Sequence, residues 1–311
     1  MAEGVRKLRQ RSPLARAVYR HRFFYVMLIP GVIYYLIFRY LPIWGILMGF
    51  TDYRPSISFF DAKWVGLEQF QRIFDSGALG MLFKNTLIIS TLNLVFYFPI
   101  PILLALLLNE VKCRPFKKAV QSSIYIPYFI SWVVVASIAT MLLNVENGLV
   151  NQLLIAMGKA PADFMASTTW FRPIILIEMI WRESGYGTII FLAALSGIDP
   201  SLYEAATIDG ANRWQKMIHI TLTGIKSTIV VMLLLRLGTF FELGFDQIFL
   251  QLNAMNRSVG EIFDTYIYRV GIQNGDYAYT TAIGLFKSVT GLILVLSANK
   301  FAKKMGEEGI F

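Results

Sequence analysis

Six runs of apolar residues, approximately 24–50, 82–108, 119–143, 172–196, 226–250 and 281–300, constrain this chain more than any other feature. Each is long enough to cross the hydrocarbon core of a bilayer, which takes about 20 residues of helix. Lipid offers the backbone no hydrogen-bond partners, so each run must satisfy its own amides and carbonyls by coiling into a helix. A membrane barrel would show alternating segments of about ten residues instead, and the sequence has none. Composition points the same way. Of the 311 residues, 56% are hydrophobic and 16% charged, whereas a water-soluble domain carries roughly a quarter charged residues. The predicted fold is an all-α membrane protein with six transmembrane helices over 24–300, preceded by a basic segment at 1–23 and followed by a tail at 301–311.

A net charge of +9 would, in a soluble protein, raise nucleic acid as a partner. Here the cations follow topology, and no nucleic-acid partner is expected. Segments 1–22, 110–118, 197–226 and 299–311 hold seventeen Lys and Arg, against seven in 51–81, 144–172 and 251–280. Such an excess marks the cytoplasmic side. Both termini and the 197–226 loop are therefore predicted inside, in a multi-pass protein of the cell membrane. The seven cations from Arg6 to Arg22 are expected to lie along the anionic inner leaflet of the bilayer. The first apolar run is too long for a signal-peptide core and contains Arg39 and Pro42, so it reads as a retained span. Outside, the stretch around Trp64 to Phe70 reads as a short interfacial helix. Cys113 is the single cysteine, which excludes an intrachain disulfide and a cysteine-based metal cluster.

Between the fourth and fifth runs lies a polar, helix-prone segment, 197–225. Asp199 is placed to cap a helix whose first residue is Pro200, and Gly210 supplies a break after Ile208. This predicts two short helices around a glycine corner, with Leu202, Ala205 and Ala206 on one face. The stretch from Glu204 to Leu222, EAATIDGANRWQKMIHITL, resembles the cytoplasmic coupling segment of permease subunits in bacterial ATP-driven (ABC) importers that use an external binding protein. The usual Leu-Pro ending is here Leu222-Thr223. Residues 29–53, 125–136 and 261–271 resemble the polysaccharide and oligosaccharide branch of the carbohydrate-uptake permeases. The resemblance implies that Glu204, Ala205, Ala206, Asp209, Gly210, Ile220 and Leu222 couple to an ATPase. It also implies a heterodimer with a second permease, two cytoplasmic ATPase subunits, an extracytoplasmic solute-binding protein, and a saccharide moved by alternating access. The chain itself has no Gly-x-x-x-x-Gly-Lys-Ser/Thr pattern to cradle ATP phosphates. His21 and His219 lack metal-ligand spacing, so no cofactor, metal or catalysis is expected.

Ionisable groups inside spans cost about 2.5–3.5 kcal/mol each on insertion scales and are functional candidates by default. Arg182 and Glu183 fall mid-way along the fourth run, with Glu178 one turn before Arg182. Arg236 lies in the fifth. As continuous helices, the fifth run would align Arg236, Phe240 and Leu243, and the third would align Tyr128, Ser131, Trp132 and Val135. Gly185 and Gly187 would permit a close helix approach. Tyr128, Trp132, Arg182, Glu183, Arg236 and Phe240 are thus the candidate substrate path, since rings stack on sugar C–H faces while fixed donors bind hydroxyls. Several arginines and Lys287 would suit an acidic saccharide, with a neutral one left open. In the competing reading Glu178 staples Arg182, while Arg39 and Lys287 snorkel toward the interface. An ion- or proton-coupled carrier is the rival class, and it would show inverted repeats or broken helices in matching halves. The topology has a direct test, with Cys113 removed. Cysteines near Asn151 or Asn274 are expected to react with an impermeant thiol reagent added outside, and cysteines near Asn212 or Lys303 are not. Outside labelling near Asn212 inverts the topology.

Overall fold

The computed structural model describes residues 19–304; the cations before Tyr19 and the last residues of the tail lie outside the described residues. Among the described residues the chain is almost wholly helical, and its one extended pairing is a bridge between Thr51 and Trp64. Three helices are long and apolar enough to cross a bilayer alone: α1 (Arg22–Phe50), α3 (Ala78–Glu110) and α13 (Tyr277–Lys304). A short helix α2 (Glu68–Asp75) follows the first. Three further spans are available if bent pairs are counted as one. These are α4 (Arg114–Phe129) with α5 (Trp132–Leu143), α7 (Phe171–Ser196) with α8 (Pro200–Ile208), and α9 (Arg213–Leu222) with α10 (Lys226–Gly238). The bends are 102°, 68° and 58°. Short helices α6 (Leu149–Ala156), α11 (Phe245–Gln251) and α12 (Phe263–Ile267) complete the framework.

Two of the predicted spans are not continuous. The third run breaks at Ile130, whose backbone is extended, and Ser131 then caps α5 by accepting from Val134 N–H. The fifth run ends at Gly238, and the chain is irregular until α11 starts at Phe245. Phe240 therefore does not continue a helical face with Arg236. Hydropathy alone shows neither break, because the stretches across them stay largely apolar on average, even with Thr239, Glu242 and Gly244 in the second. Each is sustained by a donor from elsewhere in the chain, as a freed carbonyl in an apolar slab must be. The Ile130 carbonyl accepts from Arg182 Nε at 2.8 Å, and the Phe240 carbonyl accepts from Ser90 Oγ at 2.5 Å.

The segments 51–81 and 144–172 also differ in detail from the sequence expectation. The interfacial helix starts at Glu68, after Gly66 turns the chain with φ of +60°. Trp64 instead stacks on Phe50 with ring centroids 5.6 Å apart. Asn151 is fully buried, donating to the carbonyls of Leu143, Asn144 and Ala162, so of the two outer labelling positions Asn274 is the exposed one. Arg72 reaches from α2 to Asp276 at 2.9 Å. Buried Asn85 on α3 donates to the carbonyls of Ser258 and Glu261 while accepting from Arg172. These bonds gather the connections 51–77 and 252–276 at one end of the molecule.

At the centre, α7 packs against α3 and crosses the α4–α5 break. Its glycines make that crossing possible. A Cβ on Gly185 would lie 2.0 Å from the Ile124 carbonyl oxygen, and one on Gly187 would lie 2.8 Å from the Pro101 ring. The close approach is thus backbone on backbone at Gly185 and backbone against a proline ring at Gly187. Gly185→Ala is expected to lower the melting temperature of the purified protein, with an overpacking cost of about 1–3 kcal/mol. Gly80→Ala, whose Cβ meets nothing within 4 Å, serves as the neutral control. Equal melting temperatures for both variants would remove the claim of a tight crossing.

Candidate functional site

Two constellations emerge from this framework, one at the α8–α9 corner and one at the α4–α5 break. In the first, Asp199 caps α8 by accepting from Ser201 N–H at 2.8 Å, a bond that also holds its carboxyl below the usual range. The helix stops in a Schellman motif. Gly210 N–H donates to the Thr207 carbonyl, Ala211 N–H donates to the Ala206 carbonyl, and Gly210 takes φ of +78°. Asn212 and Gln215 then form a reciprocal capping box that starts α9. An Asn followed three residues later by Gln is a start signal legible in the sequence.

The two helices are cross-braced. Tyr203 OH lies 2.9 Å from Thr221 Oγ1, and Lys216 Nζ donates to Thr207 Oγ1 at 3.0 Å. The second half of α9, Met217–Leu222, including Ile220 and Leu222, winds as π-turns. The Thr223 hydroxyl donates to the Ile218 carbonyl at the corner that precedes α10, which holds Gly224. A Cβ there would lie 2.7 Å from Ile198. The α9–α10 corner thus rests directly on the α7–α8 corner, and the adjoining Ile225 is fully buried with Ala105, Phe191 and Leu195. The outer surface of the knuckle is open: Glu204, Ala205, Asp209 and Gly210 are exposed, as are the apolar side chains of Ile208 and Trp214. Among the described residues Glu204 has no ion-pair partner.

The second constellation centres on Arg182. Its guanidinium donates to Ile130, pairs with Glu183, and lies 4.5 Å from the Trp132 ring and 5.6 Å from the Tyr128 ring. Tyr128 in turn stacks on Tyr186 at 4.6 Å. Four predicted path residues, Tyr128, Trp132, Arg182 and Glu183, therefore converge, joined by Tyr186, which stands one turn beyond Arg182. Arg236 comes close by another route. It donates to the Met179 sulfur at 3.6 Å, one turn before Arg182, and lies 5.2 Å from the Tyr97 ring. Tyr97 carries no sequence signal, because its role depends on how α3 packs. Phe240 does not join them. It packs with Phe241 and lines a different cavity beside Asp264 and Lys287.

Other span charges also have partners that differ from those read in the sequence. Glu178 does not staple Arg182; it accepts from Gln247 at 3.1 Å and Gln251 at 2.6 Å, clasping α11 to α7. Lys287 does not snorkel, since it pairs with Asp264 and is mostly buried. Among the described residues no His, Cys, Asp or Glu cluster could hold a metal ion.

A helical membrane protein with a braced, outward-facing helix-turn-helix and charges set against aromatic rings within its spans is built as a transport subunit. Residues 98–307 match the family model described as "Binding-protein-dependent transport system inner membrane component", and the chain belongs to that family of ABC-importer permeases. It is 50% identical over 305 residues to the polygalacturonan/rhamnogalacturonan transport system permease protein YteP of Bacillus subtilis (strain 168), covering 98% of this chain and 95% of that one. A crystal structure of a bacterial alginate ABC transporter, in complex with alginate pentasaccharide-bound periplasmic protein, superposes with a TM-score of 0.88 at 40% identity, covering 96% of this chain and 100% of its counterpart. A second crystal structure, of a bacterial ABC transporter importing the acidic polysaccharide alginate, gives the same score and identity over 94% and 99%. The family resemblance read from the sequence is borne out. Permeases of this family are non-catalytic subunits.

The Gly210 corner has a direct test. In Gly210→Val a β-branched residue enters the left-handed region, at a cost of roughly 1–2 kcal/mol, and displaces the exposed face of α8. Transport by the assembled importer is expected to fall at least tenfold with assembly retained, while Gly210→Asn, which tolerates that conformation, stays near wild type. Wild-type transport by the valine variant removes the required geometry.

Proposed function

We propose that this permease carries acidic oligosaccharides into the cytoplasm as one half of a heterodimeric path that alternates between outward- and inward-open states. In this reading all six spans cross the membrane, with α4–α5 and α9–α10 as bent spans, and both termini are cytoplasmic. The α8–α9 knuckle seats in one of two ATPase subunits through Glu204, Ala205, Ala206, Asp209 and Gly210. ATP-driven closure of those subunits moves the knuckle, and the corner of Gly224 on Ile198 passes the motion to α7 and α10. An extracytoplasmic solute-binding protein delivers the saccharide.

The observation that carries the acidic preference is that two guanidinium groups, Arg182 of α7 and Arg236 of α10 against Met179 one turn earlier on α7, each lie over an aromatic face. Arginine binds carboxylates bidentately, and the adjacent rings suit sugar C–H faces. Arg182 already holds Ile130 and Glu183. Arg236, held by a thioether and a ring, is the freer cation for a uronate. The names of the similar proteins, which include polygalacturonan, rhamnogalacturonan and alginate, support this reading.

In proteoliposomes containing the whole importer, a uronic-acid oligosaccharide is expected to stimulate ATP hydrolysis more than its carboxyl-reduced, neutral counterpart. Arg236→Ala should lower uptake of the acidic form about tenfold, equivalent to ~1.4 kcal/mol, and leave basal hydrolysis unchanged. Equal handling of both sugars by the wild-type complex sinks the acidic assignment. Loss of assembly in Arg236→Ala would make that residue a helix staple.

A further inference from the structure

A cavity of about 860 Å³ opens between α5, α6 and α7, with neither Arg182 nor the knuckle in its lining. Its wall is apolar, with Ile138 and Leu142 from α5, Leu154 from α6, and Ile177 and Trp181 from α7. Two charged side chains, Lys159 and Glu178, reach the same space. Glu178 is 7% exposed, and while its Oε2 accepts from two glutamines, its Oε1 is buried with no partner. A carboxylate oxygen left unpaired beside apolar walls is costly, so a fitting occupant brings a hydrogen-bond donor. Lys159 follows the Gly158 turn after α6 and has no carboxylate partner among the described residues.

Depth orders these features. The 26 residues of α7 extend about 39 Å at 1.5 Å per residue, against a hydrocarbon core of about 30 Å. Glu178, seven residues from the start of α7, lies about 10 Å along it, which with α7 centred in that core is about 6 Å inside one hydrocarbon boundary. Trp170 lies above it and Trp181 a turn below. The cavity therefore offers a cation and an unpaired acceptor near the surface and an apolar trough beneath.

We propose that this cavity binds phosphatidylethanolamine from the outer leaflet. The phosphate pairs with Lys159, the ammonium donates to Glu178 Oε1, and an acyl chain lies along Ile138, Leu142, Ile177 and Trp181. A zwitterionic head complements the Lys–Glu pair in both signs. Phosphatidylcholine offers the same phosphate and chains but no N–H to donate, and phosphatidylglycerol offers hydroxyls but no cation. The leaflet assignment rests on the proposed topology; the lipid chemistry is independent of the saccharide carried.

The test is retention of lipid by the assembled importer in nanodiscs containing phosphatidylethanolamine, phosphatidylcholine and phosphatidylglycerol of matched chains, read by native mass spectrometry. Wild type is expected to keep phosphatidylethanolamine over phosphatidylcholine by about fivefold or more, as one charge-assisted hydrogen bond implies. Glu178→Gln should abolish that preference, and Lys159→Ala should weaken retention of both lipids. Because Glu178 also clasps α11, the wild-type comparison and Lys159→Ala decide the matter if Glu178→Gln fails to assemble. Equal retention of all three lipids, retention of phosphatidylglycerol equal to phosphatidylethanolamine, or a preference that survives Glu178→Gln each overturns the proposal.

Discussion

The bond from Arg182 Nε to the Ile130 carbonyl underlies much of the middle of this protein. Breaking a helix inside an apolar layer frees backbone groups that lipid cannot satisfy, and each unsatisfied group costs several kcal/mol. Arg182 answers the Ile130 carbonyl from the neighbouring helix, and it can do so because Gly185, three residues on, lets α7 touch the Ile124 backbone. The same guanidinium lies over Tyr128 before the break and Trp132 after it. Helix break, crossing glycine and aromatic-flanked cation are one unit. Replacing any of them changes the conditions under which the others are stable.

A second unit joins the knuckle to the spans. The caps at Asp199 and Asn212 and the brace from Tyr203 to Thr221 make α8 and α9 a single block. Gly224 lets that block rest on Ile198, so its displacement bears on α7 and α10 together. At the other end of α7, Glu178 grips α11 through Gln247 and Gln251. Helix α7 thus contacts the knuckle, the aromatic cluster and the broken fifth span, which explains why four charged residues persist in a 26-residue apolar helix. Each of the four has a polar partner: Arg172 with Asn85, Glu178 with the glutamines, and Arg182 with Glu183.

Much of this was legible in the sequence. Apolar runs report membrane-spanning helices because burial in lipid leaves the backbone no alternative, and the knuckle was readable because caps and glycine corners act within a few residues. Asp199, Pro200 and Gly210 stand where their local chemistry places them. Gly185 and Gly187 likewise announced a close approach, although the sequence did not say against what. Tertiary structure alone decided where the spans break and what each intramembrane charge meets. Arg182 and Ile130 are 52 positions apart, and Ser90 and Phe240 are 150 apart. Hydropathy and helical periodicity are local quantities, so they cannot register a donor that reaches a freed carbonyl from another helix. For the same reason Phe240 left the predicted path, Lys287 found Asp264, and Glu178 turned to α11 instead of Arg182.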